Sequence, residues 1–172
     1  MIRWLAGAGA VASLVAFAAS AHLPVEPLPP GARADRVVVR KSARVLELYS
    51  GARRLRAYPV ALGTEPRGAK QEEGDGKTPE GRYVVDFRKV DSSFHRALHV
   101  SYPAPRDVAA ARARGVSPGG LIMIHGLPNG KGYLGRLHLL HDWTLGCIAV
   151  TDPEIEEIWR VVPDGTPIEI LP

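Results

Sequence analysis

The sequence predicts a mostly β domain with two short helices, and three observations point there. Eighteen glycines and fifteen prolines punctuate the 172 residues, a turn density that suits many short strands better than a helical bundle. Between those breaks lie short β-branched and aromatic runs. Helical signals are confined to two stretches, one opening at Pro105 and one at Thr151.

Taken in order, Arg36 to Arg40 is β-branched and reads as a first strand, and Val45 to Tyr49 as a second. Ser50-Gly51 turns the chain, and Leu55 to Leu62 returns as a third. Gly63 to Lys77 is polar and rich in glycine, hence a surface loop. Thr78-Pro79-Glu80-Gly81 turns into a strand at Arg82 to Phe87, and Ala97 to Tyr102 alternates into another. Pro105 to Arg114 is helical by propensity, with proline at its start and Gly115 after it. Leu121 to Ile124 is a short buried strand that delivers His125 to its carboxyl end, and Ile148 to Val150 is the next. Thr151-Asp152-Pro153-Glu154 then opens a helix whose Ile155, Ile158, Trp159 and Val162 share one apolar face. Asp164-Gly165 leads to a last strand, Pro167 to Leu171.

Residues 1–21 read as an export signal or an uncleaved amino-terminal anchor: Arg3, an apolar run from Leu5 to Ala18, then the small-x-small Ala19-Ser20-Ala21. No cysteine lies near that end, which excludes lipidation there. Residues 22–35 form a proline-rich linker and residues 36–172 the folded domain; about 150 residues remain beyond the leader, enough for one core. The formal charge of +4 is mild and the arginines are scattered, without the dense runs and interleaved aromatics of a nucleic-acid binder. Contact with a membrane is expected only through the leader, and the domain is expected to be a monomer.

The stretch from Leu121 to Val150 carries the chemistry. It holds His125 and Cys147, the sole cysteine. One cysteine cannot form an internal disulfide in an exported chain, and its setting after Gly146, below a histidine-rich loop, favours a reactive thiol. A free thiol with a pKa of about 8.5 is a poor nucleophile at neutral pH; a neighbouring histidine can take its proton and return it to a leaving group. The N–H of Cys147, with that of Gly146, is the candidate oxyanion hole. Thr144 is either a donor within the site or a turn residue. Trp143 either packs or forms a wall for substrate, and Asp142 either caps a turn or meets an amine. His138 and His141 lie in the spacer, read as a flap over the cleft. His95, Arg96 and His99 are candidates to line it. A zinc site built on His138 and His141 is the rival, but no HExxH or similar pair is present. No metal or other cofactor is called for.

These residues fall into a known pattern. His125-Gly126, a spacer, then Thr144-Leu145-Gly146-Cys147 resembles the core motif of the YkuD-type L,D-transpeptidase catalytic domain. The likeness extends to Val60-Ala61-Leu62-Gly63, to Thr78-Pro79-Glu80-Gly81-Arg82-Tyr83 and to Gly165-Thr166-Pro167-Ile168. The run from Asp142 to Thr151 is similar to a YafK-like branch. The resemblance implies a β-sandwich-like arrangement of mixed sheets, a periplasmic or cell-envelope location, and peptidoglycan stem peptides as partners. It implies Cys147 as nucleophile, His125 as general acid/base and the Gly126 carbonyl as its orienter. Substrate contacts are expected from Thr144, Trp143, Asp142 and His141. Leu145 and Ala149 depart from the pattern, standing where many members carry a histidine and an arginine or asparagine. The acyl-enzyme could pass to an amine, making a transpeptidase, or to water, making an L,D-carboxypeptidase or an amidase that releases a protein from peptidoglycan.

Overall fold

The computed structural model describes residues 26–172; the leader and the start of the proline-rich stretch lie outside them. Eight strands form one mixed sheet: β1 (Arg36–Arg40), β2 (Val45–Ser50), β3 (Arg53–Pro59), β4 (Gly81–Ser92), β5 (His95–Val100), β6 (Met123–His125), β7 (Ile148–Ala149) and β8 (Thr166–Leu171), in the order β3-β2-β1-β8-β4-β5-β6-β7. The pairs β1–β8 and β6–β7 are parallel and the others antiparallel. Two α-helices, α1 (Pro105–Ala113) and α2 (Asp152–Val161), complete it with a 3-10 segment, Gly132–Leu140. The mostly-strand expectation holds. The arrangement is a single curled sheet, and its edges meet: chain leaving β3 bridges to β7 through Ala61↔Ala149 and to the segment before it through Gly63↔Thr144. That closure leaves β7 no open edge and seats residues 60–64 beside Cys147.

The core lies inside the curl. Val37 and Val39 of β1, Leu46 and Leu48 of β2, Leu98 and Val100 of β5, Ile124, Ile148, and Ile168 and Ile170 of β8 are buried in one cluster. Each such side chain contributes about 1.5–3 kcal/mol relative to exposure. Helix α2 adds Ile155, Ile158, Val161 and Val162. Trp159, expected on the same face, stays at its edge beneath the guanidinium groups of Arg88 and Arg96. By contrast α1 buries only Ala111, since alanine and arginine supply it with no apolar stripe.

Three differences from the sequence reading bear on the site. Strand β4 runs to Ser92, through a polar stretch that offers no strand pattern; antiparallel pairing with β5 holds it. Residues 28–34 do not hang free as a linker. Leu28 and Ala34 join the core, and the Leu28 and Ala34 N–H groups donate to Glu157 and to the Val161 carbonyl. The spacer is a 3-10 segment kinked at Gly135, with His138 facing inward. No helix of the described residues is long and apolar enough to cross a membrane.

Candidate active site

Strand β6 ends on His125, which is 3 % exposed. Its Nδ1–H donates to the Gly126 carbonyl oxygen at 2.7 Å, which leaves Nε2 as the basic nitrogen. Burial pushes its pKa below the ordinary histidine value, and the Gly126 carbonyl pulls the other way. The imidazole is therefore neutral at neutral pH and able to accept a proton. Phe94, brought in by the turn between β4 and β5, lies against the ring at 4.6 Å between centroids, and Trp143 meets it edge-on at 5.7 Å.

Cys147 sits one residue before β7. The parallel register pairs Ile124 with Ile148 and His125 with Ala149. Paired residues of a parallel ladder point to the same face and alternate along the strand. Ile124 and Ile148 face the core, so His125 and Ala149 share the opposite face; Cys147 precedes Ile148, one strand over and two residues back from His125 in the register. That offset is about 8 Å between Cα atoms, which a thiol and an imidazole can close. In the resting arrangement the thiol donates to the Leu121 carbonyl at 3.6 Å. Burial raises its pKa, while the Met123 backbone and the Lys70 ammonium oppose that shift. The resting pair is thus neutral thiol beside neutral imidazole.

The turn into Cys147 depends on two features. Gly146 has φ +125°, and a Cβ there would stand 2.5 Å from the Lys77 carbonyl oxygen, so no other residue fits without strain. Thr144 accepts the Gly146 N–H at 3.1 Å and donates to the Cys147 carbonyl at 2.8 Å. The hydroxyl is occupied in building the turn, which is one of the two roles anticipated for it. The same bond corrects the expectation at Gly146: its N–H is committed to Thr144 and is not free to meet an oxyanion. Asp142 is likewise engaged, accepting Leu62 N–H at 2.9 Å and two Arg44 bonds at 3.0 and 2.8 Å. It fixes the return of the sheet edge to the cleft.

Trp143 lies between His125 and His138 and donates its indole N–H to His138 Nδ1 at 3.4 Å. His141 is exposed beside it. Of the other histidines, His95 reaches Glu156 at 2.7 Å near the start of α2, with Arg96 on the same carboxylate. His99 pairs with Asp86 and stacks on Phe87 along the hairpin. Among the described residues, no group of three or more His, Cys, Asp or Glu side chains is placed to hold a metal.

Three contributors escaped the sequence reading. Phe94 carries no motif, and only the β4–β5 turn brings it to His125. Lys70 lies in a polar loop that gave no hint of folding back; the residue is 9 % exposed and its ammonium is bonded to Asp75 and to the Glu72 carbonyl. The Leu121 carbonyl belongs to the backbone, with Leu121 at φ +53°.

Strand β6 thus ends on a histidine oriented by a carbonyl, and a cysteine stands just before the adjoining parallel strand β7. The chain belongs to the YkuD L,D-transpeptidase catalytic domain family, which it matches over residues 34–170. It is 30% identical over 132 residues to the putative L,D-transpeptidase YafK of Escherichia coli strain K12, covering 73% of this chain and 46% of that protein. The chain thus spans about half the length of the curated relatives it matches. Among solved structures, a point variant of the helical cell shape determining protein Pgp2 from Campylobacter jejuni superposes with TM-score 0.64 at 26% identity, over 81% of this chain and 47% of that one. The L,D-transpeptidase from Xylanimonas cellulosilytica shares the fold, with TM-score 0.52 at 17% identity, over 95% of this chain and 70% of that one.

Proposed function

We propose that the chain is an exported L,D-transpeptidase that works on peptidoglycan stem tetrapeptides through an acyl-enzyme on Cys147. Rotation of the thiol away from the Leu121 carbonyl brings it to the His125 Nε2 lone pair. His125 takes the proton, and the sulfur attacks the carbonyl that joins the third stem residue to the terminal D-alanine. The oxyanion of the tetrahedral intermediate is met by the Cys147 N–H. His125 then protonates the departing D-alanine amine, and an amine of a neighbouring stem resolves the thioester. The observation that carries this reading is the parallel register that brings Cys147, just before β7, alongside the strand ending on His125, with the Gly126 carbonyl holding the tautomer the mechanism needs. Trp143 and the exposed His141 flank the approach. Peptidoglycan as substrate, and a place in the periplasm or cell envelope, agree with the family and with a relative that determines cell shape.

A second reading keeps the acyl-enzyme and replaces the amine with water, giving an L,D-carboxypeptidase or an amidase that frees a protein from peptidoglycan. Leu145 and Ala149 favour it. Leu145 is 80 % exposed at the rim and Ala149 is fully buried, so neither offers a polar group to grip an acceptor stem.

Incubating the protein with tetrapeptide-bearing muropeptides, with and without an acceptor amine, and weighing the products by mass spectrometry separates the outcomes. Crosslinked dimers establish the transferase. Tripeptide alone establishes the carboxypeptidase, and release of a wall-attached protein alone the amidase. Cys147→Ser should abolish whichever occurs; turnover above about a tenth of wild type in that variant defeats the mechanism.

A further inference from the structure

Gly126 and Leu127 share one peptide group, and both of its polar atoms are in use. The carbonyl oxygen accepts His125 Nδ1–H at 2.7 Å, and the N–H donates to Asp152 Oδ1 at 2.8 Å. A carboxylate, a peptide and an imidazole therefore lie in one line of hydrogen bonds. We propose that Asp152 is the positioning residue of the catalytic pair, acting on His125 through the Gly126–Leu127 peptide. The inference rests on His125 being the base of the proposed reaction.

Asp152 is the first residue of α2, where an acid is ordinarily read as a cap. Here the cap is made by another side chain: Glu154 Oε2 accepts the Thr151 N–H at 3.0 Å. The Asp152 carboxylate turns back instead over the loop that follows β6. Two glycines make room for it. A Cβ at Gly126 would stand 2.7 Å from Asp152 Oδ1, and one at Gly132 would stand 2.4 Å from Oδ2. Neither glycine has a positive φ, so the space, not the backbone angle, is what excludes a side chain. The carboxylate thereby holds the start of the loop by its bond to Leu127 and lies close against the loop's end at Gly132.

Its effect on His125 has two parts. Holding the Leu127 N–H sets the plane of the peptide and aims the Gly126 oxygen at Nδ1. Accepting that N–H with a charged group also polarises the peptide, because hydrogen bonds to ions are stronger and successive bonds in a chain reinforce one another. A more negative carbonyl oxygen binds Nδ1–H more tightly, keeps Nε2 free as the base, and stabilises the imidazolium formed when the thiol proton arrives. An aspartate bonded directly to the imidazole does this in other cysteine and serine enzymes; here a peptide bond stands between. The other charged groups facing this region are His95, whose Nδ1 lies 3.9 Å from Asp152 Oδ2, and Glu156, which His95 and Arg96 share. His138 is close enough to His125 for the two rings to disfavour each other's protonation.

The test compares Asp152→Asn and Asp152→Ala with the unaltered chain, reading the His125 ring nitrogens and the Nδ1 proton by NMR alongside kcat and KM. The alanine variant is expected to lose the Nδ1–H preference and about 10- to 100-fold in kcat, with KM little changed, the usual loss when the partner orienting a functional histidine is removed. The asparagine variant keeps an acceptor without the charge. It should retain the tautomer, move the Nδ1 proton upfield and recover part of the rate. Should the alanine variant fail to fold, the nearly isosteric asparagine still decides through that proton. A His125 resonance that stays unmoved in both variants overturns the proposal, including the case where kcat falls, since a merely structural aspartate would do that. The NMR measurement needs no substrate. A Cys147→Ser variant that stays active would thus remove the functional reading while leaving the Asp152–His125 linkage to be judged on its own.

Discussion

Two buried histidines lie against the Trp143 ring, and they are equipped for different tasks. His125 is 3 % exposed and His138 is 5 % exposed. Burial pushes both below the ordinary histidine pKa, His138 to about 4 with further pressure from His125 and His141. The hydrogen bonds separate them. His125 gives Nδ1–H to the Gly126 carbonyl and keeps a basic Nε2 at the end of the strand that Cys147 lies alongside. His138 accepts the indole N–H at Nδ1, so its own proton is on Nε2, and that buried atom has no partner among the described residues. One ring is held ready to accept a proton, and the other presents a donor with nothing to receive it. Burial and a lowered pKa alone do not mark a catalytic histidine; the tautomer, and what lies beside the free nitrogen, do.

The largest expected effect breaks the pair apart by activity. His125→Ala should lower kcat by about 10²–10⁴-fold, the usual contribution of a general acid–base group. His138→Leu, similar in volume and without the orphan donor, should stay within about threefold of wild type, because no step needs its nitrogen. Equal losses in the two variants, measured on the same muropeptide, would show that the comparison misassigns the base.

A smaller effect should appear in stability against pH. In the unfolded chain a histidine takes its proton near pH 6.5, whereas in the folded chain His138 holds off protonation to about 4. Stability is therefore complete above the unfolded value and is lost as pH falls through this window, by about 3 kcal/mol for His138 alone. His125 contributes a loss of the same sign. Urea unfolding between pH 7 and pH 4.5 should show a shallower decline in His138→Leu than in wild type. At pH 7 the variant should be no less stable, since a buried donor left unpaired costs about 1–3 kcal/mol. Parallel pH curves would mean that His138 is hydrated in solution.

The contrast between these histidines was only half legible in the sequence. His125 and Cys147 could be named because paired motifs flank them and apolar runs place them at neighbouring strand ends. The closing of the sheet could not, because Ala61 and Gly63 meet β7 and Thr144 through backbone bonds that need no particular side chain. Phe94 escaped for a similar reason: a polar continuation of β4 concealed the strand that brings it to the site. Asp152 was legible as a helix start, where an acid is ordinary, and only coordinates show its carboxylate directed at Leu127. His138 read only as part of a flap over the cleft, because a 3-10 segment has no apolar periodicity to betray which side faces inward. Local patterns disclosed the candidate pair, and long-range backbone contacts arranged its surroundings.

The finest distinction concerns how firmly Trp143 fixes the His138 tautomer. At 3.4 Å the indole bond is long, and a bond between neutral groups is worth about 1 kcal/mol or less in net stability. Trp143→Phe removes the donor while keeping an aromatic ring against His125. In the wild-type background it leaves His138 Nδ1 without its partner; in the His138→Leu background there is no acceptor to lose. A double-mutant cycle on unfolding free energies should therefore give a coupling of about 0.5–1 kcal/mol, with the phenylalanine costing more when His138 is present. Zero coupling would mean that the indole does not choose the tautomer, and His138 would then be free to carry its proton on Nδ1. In that form the buried Nε2 becomes a lone pair like that of His125, and the two rings would differ only in which one has Cys147 beside it.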